Sequence, residues 1–464
     1  MSCLWDFIAP SGAAISAEFH GRGASVRLSE LAGGSIFGNA LESLRGRSVL
    51  IATREQLPSA LALIELDGLA RRMVLCTPDL TPEQLAGVAT TAQADAIVLD
   101  APPDAVTAIP PPIAPYAAAP RPLAAAGIKR GGGARTEWIL LTSGTTGAPK
   151  LVQHTLESLG GALTTQNAAG AQLTWSTFYD IRRYGGLQIY LRAVLSRSPL
   201  VLSSSGEPTQ DFLARAAATG VTHISGTPSH WRRVLMSGDA GIIDPRYVRS
   251  SGEIADQALL DNLRAAYPQA RVAHAFASTE AGVAFDVNDG RAGFPQELLG
   301  NPVGGIELKV VDHTLRIRSG RNAVRYLGAG AADLVGDDGY VDTGDRVELV
   351  EGRYHFRGRM GGVINVGGLK VYPEEVESVL NADPRVRMSL VRARRNPIMG
   401  AVVVADVVLA DPASPAAADT PDAVKSALLE ACRRTLAAHK VPAMLRFVPA
   451  LEVTAAGKLV RPST

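Results

Sequence analysis

The chain has 464 residues, too many for one ordinary core, and its 46% hydrophobic and 20% charged residues are typical of a soluble globular protein. With 46 basic against 45 acidic residues, the net charge of +1 argues against a nucleic-acid surface or a polybasic membrane anchor. Three widely separated cysteines, no signal peptide and no apolar run of the roughly 18–20 residues that a membrane span needs predict a cytoplasmic protein.

The first hundred residues have the pattern of an α/β sheet. Short apolar runs with strand character occupy residues 48–52, 72–76 and 96–99, and residues 57–69 have helical spacing. Strands that alternate with helices at this spacing predict a parallel sheet. Residues 101–122 are rich in proline and alanine, and we expect them to form an extended, exposed connection.

Residues 138–150 (WILLTSGTTGAPK) end an apolar strand in a loop of small residues. Because each residue from 142 to 147 carries a hydroxyl or is glycine, the backbone can turn tightly and expose its N–H groups. Backbone donors, hydroxyls and a lysine suit a polyphosphate, although the spacing is not that of a P-loop and a plain surface turn is the alternative. The residues concerned are Thr142, Ser143, Gly144, Thr145, Thr146, Gly147 and Lys150.

Between residues 150 and 280, helical and strand patterns continue to alternate. Helices are predicted at residues 152–163 and 210–218, and strands at residues 199–202, 221–228, 247–252 and 271–276. Several of these strands run into small or polar residues, for example Ser251, Gly252 and Glu253. In open α/β sheets ligands bind at the carboxyl ends of the strands, so this edge is a candidate ligand site.

From Gly304 onward the pattern changes to alternating apolar and polar residues, which predicts half-buried antiparallel strands. The glycine cluster at residues 358–362 is a candidate hinge. Beyond it, a helix at 372–380, strands within 387–410 and a helix at 421–439 predict a small α+β domain. We therefore expect a large domain over residues 1–359 and a small one over residues 360–464.

Five motifs, in this order, resemble those of the adenylate-forming superfamily of acyl-CoA synthetases, peptide-synthetase adenylation domains and luciferases. They are TSGTTGAPK (142–150) for the phosphate loop, FASTEAG (276–282) for YGxTE, YVDTGD (340–345) for the segment ending in TGD, GRMGGVINVGGLKVYPEEVE (358–377) for the domain crossover, and TAAGK (454–458) for TxxGK. The resemblance implies an α/β fold. A large N-terminal domain of parallel α/β subdomains plus a β-rich part is followed by a small, mobile α+β C-terminal domain.

The resemblance also implies that the chain binds ATP/AMP and Mg²⁺. The loop at 142–150 would hold the β- and γ-phosphates, Thr279 the α-phosphate, and Glu280 the metal. For Thr279 and Glu280 the alternative is a helix cap, where a hydroxyl followed by an acid is common. Asp345 is a candidate for the ribose, because a carboxylate can accept two hydrogen bonds from a vicinal diol. An aspartate in a hairpin turn is the alternative there.

By the same resemblance, Arg359 lies near the ribose and the hinge, and residues 251–253 match the family's adenine edge. Phe276 would stack on the adenine where most members carry tyrosine, and a buried core phenylalanine is the alternative. Gly368 matches the glycine that lets a pantetheine arm pass close to the backbone. The family hinge usually carries Asp or Lys, whereas Gly361 and Gly362 occupy that position here. Glycine should ease the movement of the small domain.

Lys458 is the candidate catalytic residue, together with Thr279 and Glu280. In the TxxGK match, an ammonium would reach both the α-phosphate and the acyl carboxylate and neutralise charge as it develops. For an arbitrary surface lysine, a role in solubility is the alternative. The acyl pocket is expected within residues 174–188, 226–231 and 273–277. Its candidate residues are Phe178, Tyr179, Tyr184, Gly226 and Ala275.

Two further expectations concern the acid substrate. Aromatic residues in the predicted pocket favour an aromatic or medium-sized apolar acid. Asp180 has the charge to bind a substrate amine, but Arg182 and Arg183 beside it make a structural ion pair the alternative.

The motifs together predict an AMP-forming acyl- or aryl-CoA synthetase. Such an enzyme converts a small carboxylic acid and ATP to acyl-AMP and pyrophosphate, and then transfers the acyl group to CoA. The alternatives are a stand-alone adenylation enzyme that loads the phosphopantetheine of an acyl carrier protein, and a non-catalytic adenylate-binding protein. Intact Lys458, Glu280 and Asp345 argue against the last, because a protein without activity could lose them.

Overall fold

The computed structural model describes residues 3–8, 17–100, 113–121, 123–125, 135–142, 148–161, 163, 173–300, 302, 304–328, 330–396, 400–410, 420–454 and 457–461. Its helices are α1 Trp5–Ile8, α2 Gln56–Leu66, α3 Pro82–Ala92, α4 Leu156–Gly160, α5 Tyr184–Leu195, α6 Thr209–Ala218, α7 Pro228–Met236, α8 Gln257–Ala266, α9 Pro373–Asn381 and α10 Pro421–Thr435. Among the described residues, no helix is both long and apolar enough to span a membrane.

The strands are β1 Glu18–His20, β2 Ser25–Arg27, β3 Gly34–Ser35, β4 Ser48–Ile51, β5 Arg72–Leu75, β6 Ala96–Leu99, β7 Ala114–Ala117, β8 Ala124–Ala125, β9 Glu137–Thr142, β10 Lys150–His154, β11 Trp175–Thr177, β12 Leu200–Leu202, β13 His223–Gly226 and β14 Tyr247–Ser251. They continue with β15 Arg271–Ser278, β16 Gly282–Val287, β17 Phe294–Pro295, β18 Ile306–Val311, β19 Thr314–Ser319, β20 Arg325–Leu327, β21 Val341–Val350, β22 Arg353–Arg359, β23 Ile364–Val366, β24 Leu369–Val371, β25 Val386–Asn396, β26 Gly400–Leu409 and β27 Met444–Phe447.

A seven-stranded sheet, in the order β20-β10-β9-β5-β4-β6-β7, contains the strands predicted in the first hundred residues. Strands β4, β5, β6, β7 and β9 pair with one another in parallel, as the alternation with helices predicts. Strand β7 lies inside the segment that we expected to be a connection only. It accommodates Pro115 because it is an edge strand, where a missing N–H breaks no ladder.

The helix predicted at residues 152–163 is wrong. Residues 150–154 form β10 instead, which pairs antiparallel with β9 on one side and with β20 on the other. Helix α4 then covers only Leu156–Gly160, and the side chain of Thr155 caps it by accepting the Ser158 N–H. Pairing on both sides outweighs the helical spacing of this segment, because intrinsic helix propensity is a weak preference.

An eight-stranded sheet, in the order β16-β15-β14-β13-β11-β12-β1-β2, lies beside the first. Its central strands are parallel, and β13, β14 and β15 end together at one edge. A five-stranded antiparallel sheet, β17-β22-β21-β19-β18, corresponds to the alternating pattern that begins near Gly304.

The region after the glycine cluster has a hydrophobic core of its own. Strands β25, β26 and β27 form one sheet, and α9 and α10 contribute Val376, Leu380, Val424 and Leu428 to the core that covers it. A small α+β domain at the C-terminal end therefore agrees with the prediction, while the boundary at residues 359 and 360 stays a prediction.

Candidate active site

The hairpin of β9 and β10 brings the two ends of the predicted phosphate loop together. Thr142, the last residue of β9, lies opposite Lys150, the first residue of β10. Seven residues separate them, of which residues 143–147 lie outside the described residues. The Lys150 Nζ is 5.3 Å from the centroid of the Tyr326 ring, and the Tyr326 hydroxyl donates to Glu280 Oε1 at 3.2 Å. The hairpin lysine and the predicted metal-binding carboxylate thus share a neighbour that the sequence analysis did not identify.

Thr279 and Glu280 lie in the turn between the antiparallel strands β15 and β16. No helix begins there, so the helix-cap alternative is wrong. The Thr279 carbonyl is 2.7 Å from His154 Nε2, and the Glu280 carbonyl accepts the Ala323 N–H at 2.8 Å.

His154 is fully buried at the end of β10, so it connects the phosphate-loop hairpin to this turn. Burial lowers the pKa of His154 to about 4, which leaves the ring neutral near pH 7. Its Nε2 then carries the proton that Thr279 accepts, since a carbonyl cannot donate. The sequence analysis did not identify His154 either.

Asp345 and Arg359 face each other on the adjacent strands β21 and β22. The Arg359 Nε donates to Asp345 Oδ1 at 3.1 Å. Asp345 therefore lies within a strand and not at a hairpin turn, which contradicts the alternative interpretation. Burial raises the pKa of Asp345, and the positive charge of Arg359 acts against that rise. The Thr343 side chain and the positive charge of Lys458 also act on this carboxylate and favour its charged form.

The predicted adenine edge follows the end of β14. The carbonyl of Ser251 accepts the Tyr179 hydroxyl at 2.7 Å, and Gly252 has a φ of +85°, which few residues other than glycine adopt. The Glu253 carboxylate accepts the N–H and the hydroxyl of Ser229 at 2.9 and 3.0 Å. Only the main chain of Glu253 thus remains free to meet an adenine.

The contacts of Phe276 agree both with a ring that stacks on adenine and with a phenylalanine of the hydrophobic core. Its ring stacks on Phe356 at 5.0 Å between centroids and packs against the core of the five-stranded sheet. The side chain is only partly buried, so part of the ring stays open to a ligand.

Lys458 reaches these residues from the small domain. A Cβ built on Gly252 would lie 3.4 Å from Lys458 Cε and 3.7 Å from its Nζ, so the ammonium lies over this glycine turn. The surrounding protein lowers the pKa of the Lys458 ammonium through desolvation, which the carboxylate of Glu253 partly offsets.

Of the five candidate residues of the acyl pocket, Phe178 and Tyr179 follow β11, Gly226 ends β13, Tyr184 begins α5 and Ala275 lies within β15. Phe178 stacks on His230 at 5.2 Å, and a Cβ on Gly226 would come within 2.8 Å of the Phe178 ring. Tyr179, Tyr184 and Ala275 are buried. Asp180 accepts Arg182 Nε at 2.8 Å and Nη2 at 2.6 Å, so it belongs to the structural ion pair and is not available to a substrate amine.

A cluster of cations lies farther along the same face of α5. Tyr184, Gln188 and Arg192 are four residues apart and therefore lie on one helix face. Burial lowers the pKa of the Arg192 guanidinium, and the positive charge of Arg249 lowers it further. Arg249 is paired with Asp286 at 2.8 Å, whereas the side chain of Arg192 has no hydrogen bond or ion pair among the described residues. The sequence analysis did not identify Arg192.

Gly368 lies in the turn of the β23–β24 hairpin, away from the residues above. Its φ is +88°, its N–H donates to Asn365 Oδ1 at 2.9 Å, and no atom lies within 4 Å of the position of a Cβ. The backbone at Gly368 therefore borders open space, and its role toward a pantetheine arm stays a prediction.

The fold and this set of residues are those expected of an adenylate-forming enzyme, and comparison of the sequence with known families agrees. The profile of the AMP-binding enzyme family matches residues 54–322, more than half of the chain, and that of the AMP-binding enzyme C-terminal domain matches residues 375–458. The protein therefore belongs to the AMP-binding enzyme family, which confirms the superfamily assignment and the fold class drawn from the motifs.

Individual relatives are similar over part of their length. The 2-succinylbenzoate–CoA ligase of Salmonella typhimurium is 30% identical over 54% of this chain and 53% of that protein. The corresponding ligase of Geobacillus kaustophilus is 29% identical over 70% of this chain and 67% of that protein. The chain thus matches about half to two thirds of the length of these curated relatives.

Solved structures are similar in fold. The anthranilate CoA ligase AuaEII in complex with anthranoyl-AMP superimposes with a TM-score of 0.81 at 19% identity, over 98% of this chain and 95% of that one. The o-succinylbenzoate CoA synthetase of Bacillus subtilis gives a TM-score of 0.76 at 20% identity, over 99% and 97% of the two chains.

Proposed function

We propose that the protein is an AMP-forming acyl- or aryl-CoA synthetase. A carboxylate attacks the α-phosphate of ATP and releases pyrophosphate, and the thiol of CoA then takes the acyl group from acyl-AMP. The observation that carries this proposal is the position of Lys458, which comes from the small domain and places its ammonium over the Gly252 turn at the end of β14. An ammonium there neutralises the negative charge that develops as carboxylate and phosphate approach.

The other residues fit the parts of ATP. In this proposal Lys150 would bind the phosphates, the carboxylate of Asp345 the ribose, and the exposed part of the Phe276 ring the adenine. Glu280 has one oxygen bonded to Tyr326 and the other without a partner among the described residues, so it could take one Mg²⁺ ligand position. No group of three or more candidate metal ligands occurs in the described part of the chain. Mg²⁺ usually binds one or two carboxylates and completes its shell with phosphate oxygens and water. The metal would supply charge neutralisation on the phosphates.

We further propose that the acid carries a second anionic group, which Arg192 binds. Arg192 is half-buried on the same helix face as the pocket residue Tyr184. Its side chain has no hydrogen bond or ion pair among the described residues, because the neighbouring carboxylate of Asp286 is paired with Arg249. An unpaired, partly buried cation is costly unless a ligand compensates it. The 2-succinylbenzoate named for two relatives is an acid of this class.

A pyrophosphate-release screen over aromatic and aliphatic acids, each with and without a second carboxylate, tests both proposals. We expect release with at least one acid, and faster release with the dicarboxylate of a matched pair. Arg192→Ala should raise KM for the dicarboxylate by about tenfold or more and change KM for the monocarboxylate little. Only the dicarboxylate has a second carboxylate that can lose its bond to the guanidinium.

Arg197→Ala is the matched control, since Arg197 is exposed just beyond the end of α5. No release with any acid would contradict the synthetase proposal. Equal effects of Arg192→Ala on both acids would contradict only the second proposal. A comparison of CoA with a phosphopantetheinylated carrier protein then identifies the thiol acceptor.

A further inference from the structure

The main chain on both sides of Lys458 is hydrogen-bonded to the large domain. The Thr227 hydroxyl donates to the Gly457 carbonyl at 2.7 Å, and the Leu459 N–H donates to Glu253 Oε1 at 3.1 Å. Because Lys458 lies between these two residues, the two bonds fix where its side chain starts.

Thr227 and Glu253 are themselves fixed at the N-terminus of α7. Thr227 caps this helix, and its Oγ1 accepts the His230 N–H at 3.0 Å. The Glu253 carboxylate is held by the N–H and hydroxyl of Ser229, the second residue of the helix. The start of α7 thus presents one donor and one acceptor in a fixed arrangement, which the carbonyl of Gly457 and the N–H of Leu459 match.

The shape of this contact is restrictive as well. Gly457 has a φ of +68°, and a Cβ at this position would overlap the imidazole of His230. The ring cannot readily move away, because its other surroundings include the stacked ring of Phe178 and the Thr227 N–H, which donates to its Nδ1. The backbone of Gly457 therefore packs directly on the ring.

We propose that Thr227 and Glu253 are positioning residues that dock the small domain by holding Gly457 and Leu459, and so keep the Lys458 ammonium at the reacting groups. The chemical consequence rests on the proposed function. The docking itself does not rest on the proposed function, because it depends only on contacts between the two domains. Loss of either bond should weaken the first half-reaction, acyl-AMP formation, more than the second, because only the first needs Lys458 at this place.

Thr227→Val tests this inference, because valine has the shape of threonine without the hydroxyl. The substitution also removes the N-terminal cap of α7, so the control must be a variant that loses a helix cap elsewhere. Thr81→Val is that control: Thr81 caps α3 in the large domain, is likewise followed by proline, and its Oγ1 accepts the Gln84 N–H at 3.2 Å. Thr227→Ser restores the hydroxyl and should restore the wild-type behaviour.

Two measurements apply to the full-length protein. The first is the ratio of ATP–pyrophosphate exchange to thioester formation from preformed acyl-adenylate. We expect Thr227→Val to lower this ratio about tenfold, as the loss of one hydrogen bond of ordinary strength predicts. The second is amide hydrogen exchange in the unliganded protein, where residues 457–461 should exchange several-fold faster in Thr227→Val than in the wild type and in Thr81→Val.

An unchanged ratio together with unchanged exchange at residues 457–461 would overturn the inference, and so would equal effects of Thr227→Val and Thr81→Val. If Thr227→Val does not fold, Ser229→Ala, which removes the hydroxyl bonded to Glu253, should shift both measurements in the same direction by a smaller factor. If the wild type activates no acid, the proposed function fails, while the hydrogen exchange still decides whether Thr227 docks the small domain.

Discussion

The residues of the candidate site are held in place in two different ways. Asp345 lies on a strand of a five-stranded sheet, and Glu280 lies in a turn between two strands of another. Lys458 comes from a separate domain and is connected to the large one through Thr227 and Glu253. Hydrogen bonds of this kind contribute about 1 kcal/mol each, far less than a sheet. The comparison indicates a binding surface supported by sheets and one candidate catalytic group that only a few hydrogen bonds connect to it.

The largest effect should come from removing the ammonium group of Lys458. Lys458→Ala should slow ATP–pyrophosphate exchange by roughly 10²–10³-fold, the range for loss of one group that stabilises transition-state charge. Thioester formation from preformed acyl-adenylate should fall far less. Lys425→Ala, a change on α10, is the control. Unchanged exchange in Lys458→Ala would remove the lysine from the mechanism.

A substitution of the residue before Lys458 should lower activity only by displacing the lysine. In Gly457→Ala the new methyl group would collide with His230, and we expect exchange to fall by about 10²-fold, since small misplacements of a reacting group cost that much. Gly400→Ala is matched to it, because Gly400 has a similar φ of +74° but no atom within 4 Å of its Cβ position. Equal losses in the two variants would show that backbone strain, and not the contact with His230, is responsible.

Changes in the binding surface supported by sheets should alter binding more than the rate. Asp345→Asn should raise KM for ATP about tenfold with a smaller change in kcat, because the amide loses the charge paired with Arg359 and one acceptor for the ribose. Asp342→Asn, on the same strand and exposed, is the control. Steady-state kinetics at varied ATP concentration measure the difference, and a pure kcat effect would contradict the assignment of Asp345.

The smallest effect concerns stability. Burial lowers the pKa of His154 from 6.5 to about 4, so the unfolded chain binds a proton there more readily than the folded chain. Stability therefore falls as the pH drops from 6.5 to about 4, and His154 accounts for about 3 kcal/mol of that loss. Denaturant unfolding across this range should show a shallower decline in His154→Gln, while the exposed His313→Gln should keep the wild-type slope.

The sequence was sufficient for much of the fold and for part of the site. Strand and helix patterns in the first hundred residues and after Gly304 predict the observed elements, and the five motifs contain Glu280, Asp345 and Lys458. Sequence reasoning failed at residues 152–163, where pairing with β9 and β20 forms a strand. It also missed His154 and Arg192, because neither has a local pattern that sets it apart from an ordinary core or helix residue.

What the sequence determined by itself is the family, the order of the elements and the identity of the chemical groups, since these depend on local patterns and motif spacing. The tertiary structure decided which of the groups meet. Thr227 and Lys458 are 231 positions apart, and the bond from Thr227 to the residue before that lysine depends on how the small domain rests on α7. The same holds for Arg192, which becomes notable only because folding brings Arg249 and its partner Asp286 near it and leaves its own charge unpaired among the described residues.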